Sequence, residues 1–272
     1  MNCPSPTTPD FSQPSGVVQV GSLEGLIPGL VHGFSGALPQ SAQSPFGPLV
    51  SGWLIELFGP DVPPLMVLDQ IHSSRVMVWR PEPHHKTGPL DGPLPKADGV
   101  LVLAGERGLA AIRTADCVPV LAADPQTGGV AALHAGWRGV AMSILPNLLA
   151  QWAGQGSRLD QVRLVLGPSI RQCCFEVQPD CLALFAPPWL EGTVEIRRNS
   201  AGQISTFLDL TQILIRQAGA FGVDADRIEL VPFCTRCHMD PDGSHPFASY
   251  RRAVQSGEKS TDFNASFIGI TR

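Results

Sequence analysis

The stretch "RTADCVPVLAADPQTGGVAALHAGWRG", residues 113 to 139, decides how this chain is read. Two short apolar runs flank a Pro/Gly turn, which is the pattern of a β-hairpin inside a protein core. One run opens with Cys117 and the other closes with His134, at the open end of the hairpin, away from "PQTG". With Asp124 opposite Gly129, Cys117 pairs with Gly136 and lies diagonal to His134 on one face of the sheet. A slip of one residue sends the two side chains to opposite faces. The sequence leaves both registers open.

Three readings compete for the pair: a buried thiol beside a hydrogen-bonded histidine, a metal site in need of a third ligand, and a cysteine nucleophile with a histidine base. The segment after His134 favours chemistry. "AGWRG" leaves the strand through two glycines with Arg138 between them and enters a helix, so that amides and a guanidinium face whatever sits beside His134, an anion site in outline. Upstream, "LDQIHSSRV" places His72 just after an apolar strand. Alone, His72 reads as a satisfied loop or core histidine.

The rest of the chain bounds the function. With 272 residues, 43% of them hydrophobic, it buries roughly three quarters of its unfolded surface without help from disulfides. Net charge is -5 and the 19 basic residues are scattered, so no stripe tracks a phosphate backbone and nucleic acid is not an expected partner. No signal-peptide pattern opens the chain and no apolar run spans a bilayer, which predicts a cytoplasmic protein with no membrane partner. Seven cysteines at irregular spacings suit thiols kept for metal or chemistry in a reducing compartment. Adjacent Cys173 and Cys174 read as two small buried residues.

The 28 glycines and 26 prolines cut the chain into short elements. Residues 1 to 15 read as a loose N-terminal tail, 16 to 272 as one catalytic domain, and "PEPHHKTGPLDGPLPKADG" (81 to 99) as a loop between strands. Strands are expected near 17–20, 64–69, 75–79, 99–103, 109–113, 118–123, 130–134, 162–166, 193–197, 204–208 and 227–232. Helices are expected over 48–58, 139–152, 179–186 and, most clearly, 210–221. There Asp209 and Gln212 resemble a capping box and Gly222 supplies the stop. Pro146 predicts that the second helix is bent or starts late. Runs of strands with few helices predict an α+β fold with mixed sheets.

"CTRCHMDPDGSH", residues 234 to 245, contains Cys-x-x-Cys-His, the attachment pattern of c-type haem. A chain without an export signal does not suit haem attachment. A second zinc site built from Cys234, Cys237, His238 and His245 is chemically reasonable. A loop carrying surface thiols is the favoured reading.

"DQIHSSRV", "ADGVLV", "RTADCVPVLAAD", "AALHAGWRG", "GPSIRQCCFEV" and "PFASYRR" resemble, in order and spacing, the YfiH/YlmD family over roughly residues 64 to 252. Its members, formerly called multicopper polyphenol oxidoreductases or laccases, are now described as purine nucleoside phosphorylases. The resemblance implies zinc ligands at His72, Cys117 and His134, three protein ligands that leave one position for water or substrate. It also implies a layered α/β/β/α sandwich related to cysteine hydrolases such as the cytotoxic necrotizing factor catalytic domain. The chain departs from the family after "GFS", in "GALPQSAQSPFG", and after "SYRRA", where "SGEKSTDFNA" stands in place of the usual Thr-Gly-Arg. A four-copper oxidase needs about ten histidines, many in His-x-His pairs. This chain has seven and no such pair, so copper at the site is adventitious.

The function the resemblance implies is phosphorolysis of purine nucleosides (adenosine, inosine, guanosine or methylthioadenosine) with phosphate, and adenosine deamination as a second reaction at the same zinc. Cys117 and His134 are then catalytic as well as ligating, Arg138 and Arg251 are candidates for substrate or phosphate, and Asp116 and Glu176 are candidate acid/base groups. The alternatives are a cytoplasmic hydrolase that edits a peptidoglycan precursor, a Cys117/His134 thiol hydrolase, and a zinc-stabilised binding protein without turnover.

Overall fold

The computed structural model describes residues 17–38, 63–80, 93–103, 105, 107–258 and 262–271. The hairpin is present. It forms the middle of a six-stranded sheet in the order β13 (Ile228–Leu230), β9 (Arg163–Leu166), β7 (Val118–Ala123), β8 (Val130–Ala135), β5 (Gly99–Val102), β4 (Val76–Trp79). Its register pairs Ala123 with Val130 and Val118 with Ala135, and the Asp124 amide donates to the Gly129 carbonyl at 2.9 Å. Of the two registers open to the sequence, this is the one that keeps Cys117 and His134 on a common face.

Because side chains alternate across a strand, this register sorts the hairpin into two interiors. Val118, Val120, Ala122, Ala131, Leu133 and Ala135 face one core, while Leu121, Ala123, Val130 and Ala132 face another. The first core is closed by α2 (Ile144–Gly154) and α5 (Leu210–Ala220), through Leu145, Leu148, Leu149, Trp152, Ile213 and Leu214. The second lies between this sheet and a five-stranded one ordered β1 (Val17–Val18), β2 (Leu30–Leu38), β14 (Phe263–Ile270), β6 (Gly108–Thr114), β3 (Leu65–Val67). Burial on both faces explains why β7 and β8 read as continuous apolar runs. Fully buried Leu133 shows the scale of this packing, since its truncation to alanine costs about 2–5 kcal/mol.

A small third sheet, β10 (Glu176–Val177), β12 (Ile204–Leu208), β11 (Val194–Arg198), completes an α+β fold. Parallel pairs β3/β6, β4/β5 and β9/β13 mix with antiparallel ones in both large sheets. The short helices are α1 (Trp137–Ala141), α3 (Pro179–Leu182), α4 (Pro187–Leu190) and α6 (Tyr250–Ser256).

Half of the expected capping box on α5 is present: the Asp209 side chain accepts from the Gln212 amide, while the Asp209 amide donates to the Thr193 carbonyl at 2.8 Å, and Gly222 follows the helix with φ 92°. The helix expected over 139–152 is interrupted at Ser143 (φ 66°), and Pro146 sits in the first turn of the second piece, where its missing amide proton is harmless. The helix expected over 179–186 stops at Leu182. Strands β2, β10 and β14 and helices α4 and α6 were not expected. The tail, the helix over 48–58 and most of the loop over 81–99 lie outside the described residues. No helix among the described residues is long and apolar enough to cross a membrane.

Candidate active site

His134 is the next-to-last residue of β8, on the face it shares with Val130 and Ala132 at the rim of the buried layer, and is 3% exposed. Cys117 precedes β7 on the same face. The third member comes from the turn before β4, where His72 takes a left-handed backbone (φ 57°). The ligand atoms of His72, Cys117 and His134 lie within 4.8 Å of one another, and the two imidazole rings meet edge to face with centroids 4.8 Å apart.

One carboxylate organises this group. Asp98, fully buried just before β5, accepts from His134 Nδ1 (2.9 Å) and the His72 amide (2.9 Å) through Oδ1, and from the Ser73 amide (2.6 Å) and hydroxyl (2.7 Å) through Oδ2. Burial works against its charge, but hydrogen bonds from His134 and Ser73 outweigh this and hold it below the usual carboxylate value. The same contacts fix the orientation of the His134 ring and steady the left-handed turn at His72, a conformation that costs about 1–3 kcal/mol for a non-glycine residue. Sequence reading missed Asp98 as a site residue, although "ADGVLV" contains it.

Burial alone would raise the Cys117 thiol, yet the charge and hydrogen bond of His134, aided by His72, pull it down to about 6. Burial alone would lower His134, and Cys117 and Asp98 push it up to about 9. Each of the two thus favours the charged form of the other. Room for an ion beside them is kept by Gly136, where an added Cβ would stand 3.0 Å from His72 Cδ2 and 3.1 Å from Cys117 Sγ. Two imidazoles and a thiolate are a donor set that zinc takes, so the residues fit such an ion.

These residues sit in a cavity of about 610 Å³, large enough for a nucleoside. Arg113, Arg138 and Arg251 bring positive charge to its wall, and Trp137, Phe175 and Tyr250 bring aromatic surface. Arg138 stacks 4.2 Å over the Trp137 ring, and Arg251 donates through Nη2 to the Glu176 carbonyl at 2.9 Å. Arg113 was not singled out from sequence. Its position is set by Gln70, whose amide pairs with the Arg113 backbone at 2.7 and 2.8 Å and ties the His72 loop to β6.

The acid/base candidates are placed differently. Asp116 lines the cavity with φ 90°, but its Oδ1 accepts from Thr235 Oγ1 (2.7 Å) and its Oδ2 from the Arg251 amide (2.7 Å). Burial pushes its carboxyl above the ordinary value. Glu176 is not among the residues lining the cavity.

The alternative zinc site that the sequence offered at Cys234, Cys237, His238 and His245 is not assembled as such. His238 lies 3.8 Å from Asp240, and His245 bonds the His238 carbonyl through Nδ1 at 2.7 Å, so neither joins Cys234 and Cys237. Cys173 and Cys174 take their place: the four sulfurs lie within 4.8 Å of one another. Cys234 is buried, not a surface thiol, and Cys173 and Cys174 are a half-buried pair on a turn.

The family described as multi-copper polyphenol oxidoreductase laccase matches residues 53–270. Adenosine deaminase RL5, from an unknown prokaryotic organism, is 30% identical over 217 residues, 79% of this chain and 77% of that protein. A purine nucleoside phosphorylase of Bacteroides thetaiotaomicron is 36% identical over 148 residues, 54% of this chain and 53% of that protein. In structure, YlmD of Geobacillus stearothermophilus superposes with a TM-score of 0.72 at 23% identity, covering 94% of this chain and 97% of that one.

Proposed function

The chain belongs to the multi-copper polyphenol oxidoreductase laccase family, the YfiH/YlmD group, and on that premise we propose that it is a zinc-dependent purine nucleoside phosphorylase. The observation that carries this reading is one cavity holding the His72, Cys117 and His134 donors, three guanidinium groups and aromatic surface. Relatives named for purine nucleoside phosphorolysis and adenosine deamination support an enzyme of this kind.

His72, Cys117 and His134 would hold the ion, with Asp98 orienting His134 from behind. A zinc ion there supplies a Lewis acid that polarises a substrate oxygen or lowers the pKa of water to about 7. His134 would serve as a ligand in its neutral form, with Nδ1 turned to Asp98 and the other ring nitrogen left for the ion. Arg138, held over Trp137, and Arg251, held by the Glu176 carbonyl, would grip phosphate by charge-assisted hydrogen bonds. A phosphate oxygen then forms a bond to the ribose anomeric carbon as the bond to the purine nitrogen breaks. Phe175 and Tyr250 offer faces for the base.

A second reading, favoured by Cys117 and His134 lying together with Asp98 bonded to His134 Nδ1, is a thiol hydrolase, which survives removal of metal where the phosphorylase does not. The test is chromatographic analysis of adenosine incubated with zinc-loaded protein, with and without phosphate, beside Cys117→Ala. Adenine formed only with phosphate, and lost in the variant, is the expected result. Inosine formed without phosphate would move the assignment to deamination. Intact adenosine, inosine, guanosine and methylthioadenosine would remove the phosphorylase reading and leave a cell-wall precursor as the substrate to try next.

A further inference from the structure

We propose that Cys173, Cys174, Cys234 and Cys237 form a second, tetrathiolate zinc site in the reduced protein, a closed structural site behind the wall of the cavity.

The chain brings the four sulfurs together by folding two turns against each other. One turn, residues 172–174, carries Cys173 and Cys174, and the other, residues 235–237, comes directly after Cys234. A bridge between Ser169 and Cys234 locks them: the Ser169 amide donates to the Phe233 carbonyl at 3.2 Å and the Thr235 amide to the Ser169 carbonyl at 3.1 Å. The sulfurs of Cys173 and Cys237 are 3.7 Å apart. Four thiolates around one zinc at a bond length of about 2.3 Å stand about 3.8 Å from one another, so this spacing is that of ligands sharing a single ion. A cluster of several irons spreads its cysteines further, because each thiolate binds a different iron.

The surroundings suit a tetrathiolate, which carries two negative charges with a divalent ion bound. The Arg171 amide donates to Cys234 Sγ at 3.5 Å, and Arg236 Nη1 donates to Cys174 Sγ at 3.6 Å. Arg197 Nη1 donates to the Cys173 carbonyl at 2.9 Å, which puts a second guanidinium beside the group.

Cys173 is disulfide-bonded in the structure, so the fourth ligand is delivered by reduction. A dithiol reductant gives two electrons to that bond, frees both sulfurs as thiols and is itself oxidised to a disulfide. Zinc binding then releases one proton from each thiol that is still protonated. The site belongs with the thiolate sets that select zinc, and it leaves no position for substrate.

Its place explains its use. Ile170 and Phe175, on either side of the first turn, line the cavity; the Ile170 amide donates to the Asp116 carbonyl at 2.9 Å, and Thr235 Oγ1 holds the Asp116 carboxylate. An ion joining the two turns therefore fixes the wall that faces Cys117.

The experiment is metal analysis of full-length protein prepared with dithiol reductant. Wild type is expected to hold two zinc equivalents, Cys117→Ala one, and Cys117→Ala combined with Cys234→Ser or Cys237→Ser none. Cadmium titration of Cys117→Ala should give a cadmium–thiolate ultraviolet band with the intensity of four thiolates. Half-buried Cys237 is the safer position to change, and circular dichroism confirms that its variant folds. A metal-free, reduced Cys117→Ala protein without the cadmium band would overturn the proposal, as would a band of two thiolates or an equivalent that survives both serine substitutions.

Discussion

The His72–Cys117–His134 group and the four-cysteine group, each proposed above to hold zinc, differ in the properties that separate an open metal site from a closed one. The first mixes two imidazoles with a thiolate, takes its ligands from strand ends, is oriented by a buried carboxylate, and opens into a cavity of about 610 Å³. The second is all sulfur, rests on two turns, and is surrounded by arginines and backbone amides. Softness and closure go together here. A ligand set that encloses its ion stabilises a loop pair, and one that leaves a position open exposes the ion to substrate.

This contrast can be broken most directly at Cys117. Cys117→Ala should lower turnover more than about 100-fold and remove one zinc equivalent without touching the second, read by single-turnover kinetics with metal analysis. Asp98→Asn comes next, with a loss of about 10–100-fold in zinc affinity at the open site, measured by competition with a chromophoric chelator. Equal weakening of both sites would show that Asp98 acts on the fold as a whole. Gly136→Ala drives a Cβ against His72 and Cys117, and a loss of about 1–3 kcal/mol is expected, smaller with the open site emptied, from denaturant unfolding with and without zinc. Arg138→Ala should raise the KM for phosphate about 10-fold and leave both zinc equivalents in place. Timed exposure to chelator sharpens the comparison: the open site should empty in a fast phase that carries the activity, the thiolate site in a slow phase that carries the melting temperature.

How much of this was legible depended on whether the signal was local. The hairpin was, because alternation and a Pro/Gly turn are short-range patterns, and so was the Asp209 cap. Strands β2 and β14 were not, although β14 is buried along its whole length. Their sequences, "LVHGFSGAL" and "FNASFIGI", carry the glycines that usually punctuate strands. Here those glycines permit close approach: a Cβ at Gly269 would strike the Gly108 carbonyl oxygen, and one at Gly33 would strike Val17. At the site, the ligand triad came from resemblance, since the register that joins Cys117 to His134 was open. Asp98 stayed hidden because its role exists only once β5 pairs with β8, where Gly99 stands opposite Leu133. The pairing of Cys173 and Cys174 with Cys234 and Cys237 was equally hidden, as it depends on the bridge from Ser169. His238 and His245, near neighbours in sequence and offered there only as the less favoured alternative, are not in the four-sulfur group.

The hydrogen bonds of Asp98 have a bearing on protein engineering. The backbone at 72 and 73 and the ring of His134 are positioned from a single side chain. Grafting the centre onto another sheet therefore means transplanting four residues rather than three. A graft that copied His72, Cys117 and His134 alone would reproduce the chemistry of the donors and lose the distance between them.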